Sequence, residues 1–444
     1  MNRKASALPM GVAALVACAG SAQAGVLAFQ IALLEGDSVA GVGNATLINN
    51  VAINNFGKWL VEADTNNADT TIDEVILLNG IIKVREGQAL LGAPPTTLGS
   101  FDSVNLNNNA DSGWNFFLDG QPTNLDSGIY FNDVLVMQES TISSSPVFGP
   151  NTPYIGWFDA KMNDSNQIMM VASIDDPNIA TTVDRAMVRL DYNAGAGTYV
   201  ENVISKEADL IAGNAIADFS TGPHESAINN NGDLLYVADT TAATTVDGFL
   251  MLNNTVLAQE GVTEPTPGRQ YEFLLGRGLD LNNSGEWVIR TNLTGSTTDD
   301  ECIVKNGAIM VQEGTSIPAI GAFTFENFGL ASGSIGIADN GDVLWYGDWN
   351  DPNTDIDTGL FLDDQLIVQE GVTMIGGFLV DSIANGQDAF ALSDNGRWVI
   401  FEGTVLDQAG VAFDGAFVIE IPSPGAAGVL GLAALTIASR RRRV

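Results

Sequence analysis

The chain has 444 residues, 18 Lys and Arg against 54 Asp and Glu, and a formal net charge of −36. Phosphate contacts need cations, so this balance excludes nucleic acid as a partner and leaves divalent cations or plain solubility as what the field serves. Of the two cysteines, Cys18 lies in the first segment and only Cys302 in the rest, so the body of the chain can form no intrachain disulfide.

The first 24 residues carry Arg3 and Lys4, an apolar stretch from Met10 to Val16, and Ala22-Gln23-Ala24 before Gly25. That is the layout of a cleavable secretory signal, and it predicts export. Leu15-Val16-Ala17-Cys18 also reads as a lipoprotein cleavage box, although small residues beside a Cys are common in signal peptides.

From about residue 26 to residue 421 the chain repeats. An Asp precedes a β-hairpin and then a Glu at a spacing of thirteen in Asp73 to Glu86, Asp126 to Glu139, Asp247 to Glu260, Asp300 to Glu313 and Asp357 to Glu370. A sixth copy, Asp184 to Glu207, is ten residues longer, and a seventh is split between Asp414 and Glu35. Halves of one repeat at opposite ends of a chain imply a ring closed by pairing the first strand with the last. The closing strand is Leu27 to Leu34, set against Ala416 to Ile419. Such closure removes sheet edges that would template aggregation.

The five evenly spaced hairpins have their tips at Asn79-Gly80, Asn132-Asp133, Asn253-Asn254, Asn306-Gly307 and Asp363-Asp364, pairs that tolerate the positive φ of type I′ turns. A second turn precedes each hairpin: Asn54 to Gly57, Asn107 to Gly113, Asn163 to Asn166, Asn229 to Gly232, Asn282 to Gly285, Asp339 to Gly341 and Asp394 to Gly396. Seven turns match seven hairpins. A strand on each side of the turn and two hairpin arms make four strands, and the near-continuous apolar arms suggest strands covered on both faces. The expected fold is all-β: a seven-bladed β-propeller of four-stranded blades over residues 25–421, as one domain.

Residues 422–444 hold Pro422-Ser423-Pro424, an apolar stretch from Gly425 to Ser439, and Arg440, Arg441, Arg442 and Arg443. The apolar stretch is short for a permanent spanning helix, which needs about twenty residues. This tail resembles the PEP-CTERM sorting signals of Gram-negative bacteria, with Ser423 where those have Glu. The recurring Asn-x-x-Gly turn followed by an apolar strand, with such a tail, resembles the bacterial choice-of-anchor tandem-repeat proteins of the Asn-x-x-Gly-x-x-Ala-Phe type. Here Leu60-Val61, Tyr236-Val237, Val288-Ile289 and Ile400-Phe401 stand where those have Ala-Phe. The resemblance implies an exported repeat protein of the cell envelope, cell surface or medium, a sorting peptidase as partner, and a membrane contact only through the C-terminal segment. It supplies no catalytic residues.

The acidic loop Asp348, Asn350, Asp351, Asn353, Asp355 and Asp357 holds the densest set of oxygens, and Ca²⁺ is the cofactor such a loop could take, though its spacing is not that of an EF-hand. The same residue types are ordinary turn formers. The single histidine, His224, has no nucleophile motif beside it and reads as a loop residue. Trp59, Trp114, Trp287 and Trp398 read as inter-blade core, whereas Trp349, in the acidic loop, reads as an exposed aromatic able to contact carbohydrate or protein. Because the Asp–Glu pairs recur in every blade, they read as structural rather than catalytic. The expected function is therefore a non-enzymatic binding or structural module, with a polysaccharide or a surface protein as ligand. The alternative is a carbohydrate-active enzyme, a glycosidase or lyase, using carboxylates at the channel, and an acid pair present in only two blades would favour it.

Overall fold

The computed structural model describes residues 27–422, apart from 92–95 and 102–103. Residues 1–24, read above as a secretory signal, with Cys18 among them, and Pro424 and Arg440 to Arg443 lie outside the described residues, and Pro422 follows the last strand without regular structure.

Leu27–Ile421 folds as a seven-bladed β-propeller, one antiparallel sheet per blade. Blade 1 runs Gly43–Ile53, Trp59–Thr65, Glu74–Leu78 and Ile81–Arg85 from the axis outward; blade 2 runs Leu98–Phe101, Gly113–Leu118, Ser127–Phe131 and Val134–Gln138. Blade 3 has the longest hairpin, Asp184–Asn193 with Thr198–Lys206, outside Tyr154–Met162 and Gln167–Ile174. Blades 4, 5 and 6 have their second strands at Leu234–Thr240, Trp287–Leu293 and Val343–Trp349. In these blades and in blade 7 the innermost strand is broken in two, as in Tyr271–Phe273 and Leu279–Leu281 of blade 5.

Blade 7 is assembled from both ends of the chain. Ala28–Leu34 pairs antiparallel with Ala412–Glu420, placing Phe29 opposite Ile419 and Gln30 opposite Val418, so the ring closes on the expected strand. Glu35 N–H then bonds Asp414 O at 2.8 Å, completing the split repeat.

Hairpin tips keep their Asx residue for a reason beyond turn geometry. Asn306 sits at φ 51°, its N–H donates to Trp287 O at 3.0 Å, and its Oδ1 accepts Trp287 N–H at 2.9 Å. The side chain thus adds a rung to the ladder with the neighbouring strand. Asn79, Asn132, Asn253 and Asp363 repeat the arrangement. Only Asn79-Gly80 and Asn306-Gly307 place both residues at positive φ; in the other three pairs only the first does. The type I′ expectation therefore holds for the glycine-containing tips, because a second non-glycine residue in that region would be strained.

The Glu-Gly corners pass the chain to the next blade. Gly261 and Gly371 donate to Tyr271 O and Val380 O of the following sheets. They stand at φ 59° and 64°, and a Cβ on either would lie 2.1 Å from a carbonyl oxygen. Hydrophobic packing fills all seven seams between blades. In the seam of blades 5 and 6, Trp345 stacks on Phe361 at 4.4 Å and Phe325 meets both rings edge-on. In the seam of blades 7 and 1 the filling is mostly aliphatic, Leu33, Ile400 and Val418 against Val39, Ile48, Val61 and Val75.

Trp59, Trp114 and Trp287 are buried as expected. Trp349 is buried too, at 2% exposure, edge-on to Phe361 at 5.9 Å, which corrects the reading of it as an exposed aromatic. Strand Val343–Trp349 simply runs further than the acidic loop suggested. Trp398 departs from its series. The turn from Ser393 to Trp398 is one residue longer than that from Asn282 to Glu286, so Val399, not Trp398, occupies the place of Trp287. A slip of one residue moves every side chain to the other face.

Candidate functional site

The Asn turns form one mouth of the central channel. Asn282 Oδ1 accepts the N–H groups of Ser284 and Glu286 at 3.0 and 2.9 Å, fixing its own turn. Its Nδ2 donates to Ala338 O of the next blade at 2.9 Å. Asn54, Asn107, Asn163 and Asn229 likewise each donate to the next blade's carbonyl. The following residue in each turn makes a second ring: Asn55, Asn108, Asp164, Asn230 and Asn283 donate their N–H groups to the side-chain oxygen of the next blade's counterpart at 2.7–2.9 Å. Each turn residue therefore serves its own loop and its neighbour's. Sequence reasoning identified the turns and missed the clasp, although a second Asn or Asp in every copy was its signal.

These rings enclose a polar cavity of about 100 Å³, lined by the turns together with Asp280, Ile337 and Leu392. Asn230 Nδ2 reaches Asp164 Oδ2 at 2.9 Å and Asp394 Oδ2 at 3.3 Å. The second bond crosses the axis, from blade 4 to blade 7. Burial, reinforced by Asp339, Asp164 and Asp280, pushes the Asp394 carboxyl up to about 6.

A second group lies at a bulge in the inner strand of blade 3 and at the breaks in the inner strands of blades 4 and 7. Asp159, His224 and Asp388 all have positive φ, at 49°, 63° and 51°. Non-glycine residues held there are strained, and such strain gathers where surrounding structure over-determines it. His224 Nε2 lies 2.7 Å from Asp388 Oδ1, a second contact between blades 4 and 7 across the axis. Asp159 Oδ2 accepts Ser226 Oγ–H at 2.5 Å, and its Oδ1 is 3.4 Å from Lys161 Nζ. Burial pushes Asp159 up to about 6 against the pull of Lys161 and Ser226. Glu402, one strand out in blade 7, is driven up to about 10 by burial and by Asp388 and Glu62. Glu62 is itself raised by burial, against a hydrogen bond from Asn50 Nδ2 at 2.9 Å.

His224 is thus a channel residue rather than a bystander loop residue. It is no catalytic-triad base, since Ser226 gives its hydroxyl proton to Asp159. These acids occupy blades 1, 3 and 7 and break the sevenfold pattern.

The acidic loop is spread over its own turns. Asp348 Oδ2 accepts Asn327 Nδ2–H at 2.7 Å, and Asn350 pairs with Thr324 through both Oδ1 and Nδ2. Asp351 and Asn353 accept the N–H groups of Asn353 and Asp355 at 2.9 and 3.4 Å. Asp357, at the hairpin base, is raised by burial and by Asp348. Among the described residues no set of three or more His, Cys, Asp or Glu is placed to hold a metal ion. The recurring pairs do come together: Glu86 is raised to about 7 by burial and by Asp73 and Glu74, and Glu207 to about 7 by burial and by Asp184 and Asp218. Cys302 is buried and its thiol is pushed up to about 12, which removes thiolate chemistry.

No helix among the described residues is long and apolar enough to cross a membrane. The chain matches no protein-family model, and no curated protein matches it in sequence.

Proposed function

We propose that this is an exported, non-catalytic binding or structural module of the cell envelope or extracellular space, whose ligand seat is the clasped mouth of the channel. The observation that carries the reading is the polar cavity in which Asp394, Asp164, Asn108 and Asn230 converge. A space of about 100 Å³ has room for a few waters at roughly 30 Å³ each, or for one protruding polar group of a larger ligand. The net charge of −36 repels polyanions. A neutral or amino-bearing polysaccharide, or a basic surface protein, fits this chemistry. Export, sorting through the C-terminal segment and a processing peptidase as partner rest on the layout of the termini and on the resemblance to the choice-of-anchor repeat proteins. Calcium remains a proposal for the loop from Asp348 to Asp357, tested by titration and by the melting temperature on chelation.

The experiment is a glycan array followed by titration calorimetry. Binding of a neutral or amino glycan that weakens at least about tenfold in Asp394→Asn supports the mouth as the seat. Binding unchanged by that substitution removes it, and surface retention with no glycan or protein bound leaves the structural role alone.

A second reading, a glycosidase or lyase, is favoured by the asymmetry of Asp159 and Glu402, because carboxyl groups driven to different proton affinities can divide acid and base roles. Release of reducing ends or unsaturated products from polysaccharide, lost in Asp159→Asn, would establish it.

A further inference from the structure

We infer that Arg290 and Arg277 hold the carboxylate of a small acid behind the break in the inner strand of blade 5.

Arg290 is fully buried, and its Nη1 donates to Leu330 O of blade 6. Its Nε and Nη2 have no partner. These two nitrogens make up one edge of the guanidinium plane, where parallel N–H groups meet both oxygens of a carboxylate. Arg277 Nε is also buried without a partner, and the charge of Arg277 acts on Arg290. Two like charges brought together in a chain of net charge −36 thus leave three nitrogens unanswered. Such groups cost stability until something accepts their hydrogen bonds.

Arginines that merely brace the fold look different. Arg269 gives Nε to Thr294 O at 2.8 Å, Nη1 to Asp299 O at 2.9 Å and Nη2 to Leu293 O at 3.5 Å. Arg189 gives Nε to Asp191 Oδ1 at 2.8 Å, Nη1 to Gly232 O at 2.7 Å and Nη2 to Asp191 Oδ2 at 3.4 Å. Every nitrogen of these two donates. Burial lowers both Arg290 and Arg277, and Glu301 is the acid that most offsets it. Among the described residues, however, Glu301 forms an ion pair with neither, and its carboxylate accepts Phe328 N–H instead. Glu260, Asp300 and Glu225 act on Arg277 in the same remote way. A field keeps a guanidinium charged, but only a contact satisfies its N–H groups.

The surroundings say what kind of acid fits. Arg277 belongs to the segment between Tyr271–Phe273 and Leu279–Leu281, and Arg290 N–H bonds Gly278 O of that segment at 2.9 Å. Gly278 N–H bonds Ala331 O at 2.9 Å, so the break in blade 5 rests on the one in blade 6. Phe273, under the Arg277 guanidinium at 5.4 Å, is 50% exposed, and Leu330 is 58% exposed. A short apolar body can lie against these two side chains while its carboxylate meets the arginines. A single carboxylate also escapes most of the repulsion that a polyanion meets from this surface. Neither arginine lines the cavity of the mouth, so this is a second seat, with the opposite charge preference.

The test is calorimetric titration of the full chain with acetate at constant pH and ionic strength, a bulky sulfonate serving as the reference anion. The seat predicts saturable binding of one acetate per chain with Kd on the order of 1 mM. Bromide should bind about tenfold or more weakly, because a sphere cannot use both arms of the fork. Arg277→Gln leaves the bond to Leu330 intact and should weaken acetate about tenfold or more, with an unchanged circular dichroism spectrum. Arg290→Lys keeps the charge and loses the fork, so it should erase the preference for acetate over bromide. A crystal grown in acetate should show the anion on the Nε and Nη2 edge. Water alone at that edge, or Glu301 closed onto it, would overturn the inference. So would bromide bound as tightly as acetate, or acetate binding unchanged in Arg277→Gln.

Discussion

Two seams of this ring solve the same problem in opposite ways. Arg290, at the seam of blades 5 and 6, and Glu402, at the seam of blades 7 and 1, occupy the same place in their blades: Arg290 N–H bonds Gly278 O and Glu402 N–H bonds Ala389 O, both at 2.9 Å. Arg290 is fully buried, donates to Leu330 O, and is lowered to about 10 by burial against the field of Glu301. It keeps its charge at neutral pH because a carboxylate and a carbonyl answer it. Glu402 faces Asp388 and Glu62, two more acids, and survives burial by holding its proton. The first seam is packed with aromatic rings on continuous chain, and the second with aliphatic side chains on strands contributed by both ends. The seam that depends on pH is the one that must close last.

The largest effect that would break the comparison is deletion of residues 27–34. Removing the closing strand exposes Phe413, Phe417 and Val418 and should abolish cooperative melting by circular dichroism, whereas loss of a single contact at the aromatic seam should not. Next, Arg290→Ala removes a fully buried side chain and the cation whose field most favours the Glu301 carboxylate, a loss of about 3 kcal/mol or more. Chemical denaturation at neutral pH should show that loss.

Glu402→Gln sharpens the contrast. Its carboxyl is raised in the folded state, so the native protein binds a proton that the unfolded chain releases, and stability falls as pH rises from about 4.5 to about 10. Asp159, Glu86 and Glu207 add slopes of the same sign over narrower windows, up to about 6 or 7. The variant should melt higher than the parent at pH 8–9, with a flatter dependence on pH. An unchanged slope would mean that Glu402 does not carry this proton. The smallest effect is Asn282→Ala, which removes one turn and one clasp bond and should cost about 1–2 kcal/mol at constant pH.

The repeat, the ring and the pair of strands that closes it were legible because each rests on local chemistry: Asx-Gly tips, Glu-Gly corners, and a motif divided between the two ends. The channel was not. Asp159, His224 and Asp388 belong to different blades and meet where one inner strand bulges and two others break, at places no motif marks. Glu402 was hidden further by the longer turn at Ser393, which sets the strand one position away from what the motif alignment implies. Trp349 misled for the opposite reason, since an acidic neighbourhood in sequence says little about which face of a strand a ring occupies.

The earliest strand to be made is the final one to find its partner. Asp414 lies 379 positions beyond Glu35, and a ribosome adding roughly 5–20 residues per second needs on the order of half a minute to span that distance. Throughout that time Phe29, Ile31 and Leu33 have no sheet to join. Six blades can assemble as they emerge, but the seventh waits for the whole polypeptide, so a holding factor acting on the N-terminal strand would matter more to the yield of this protein than one acting anywhere else.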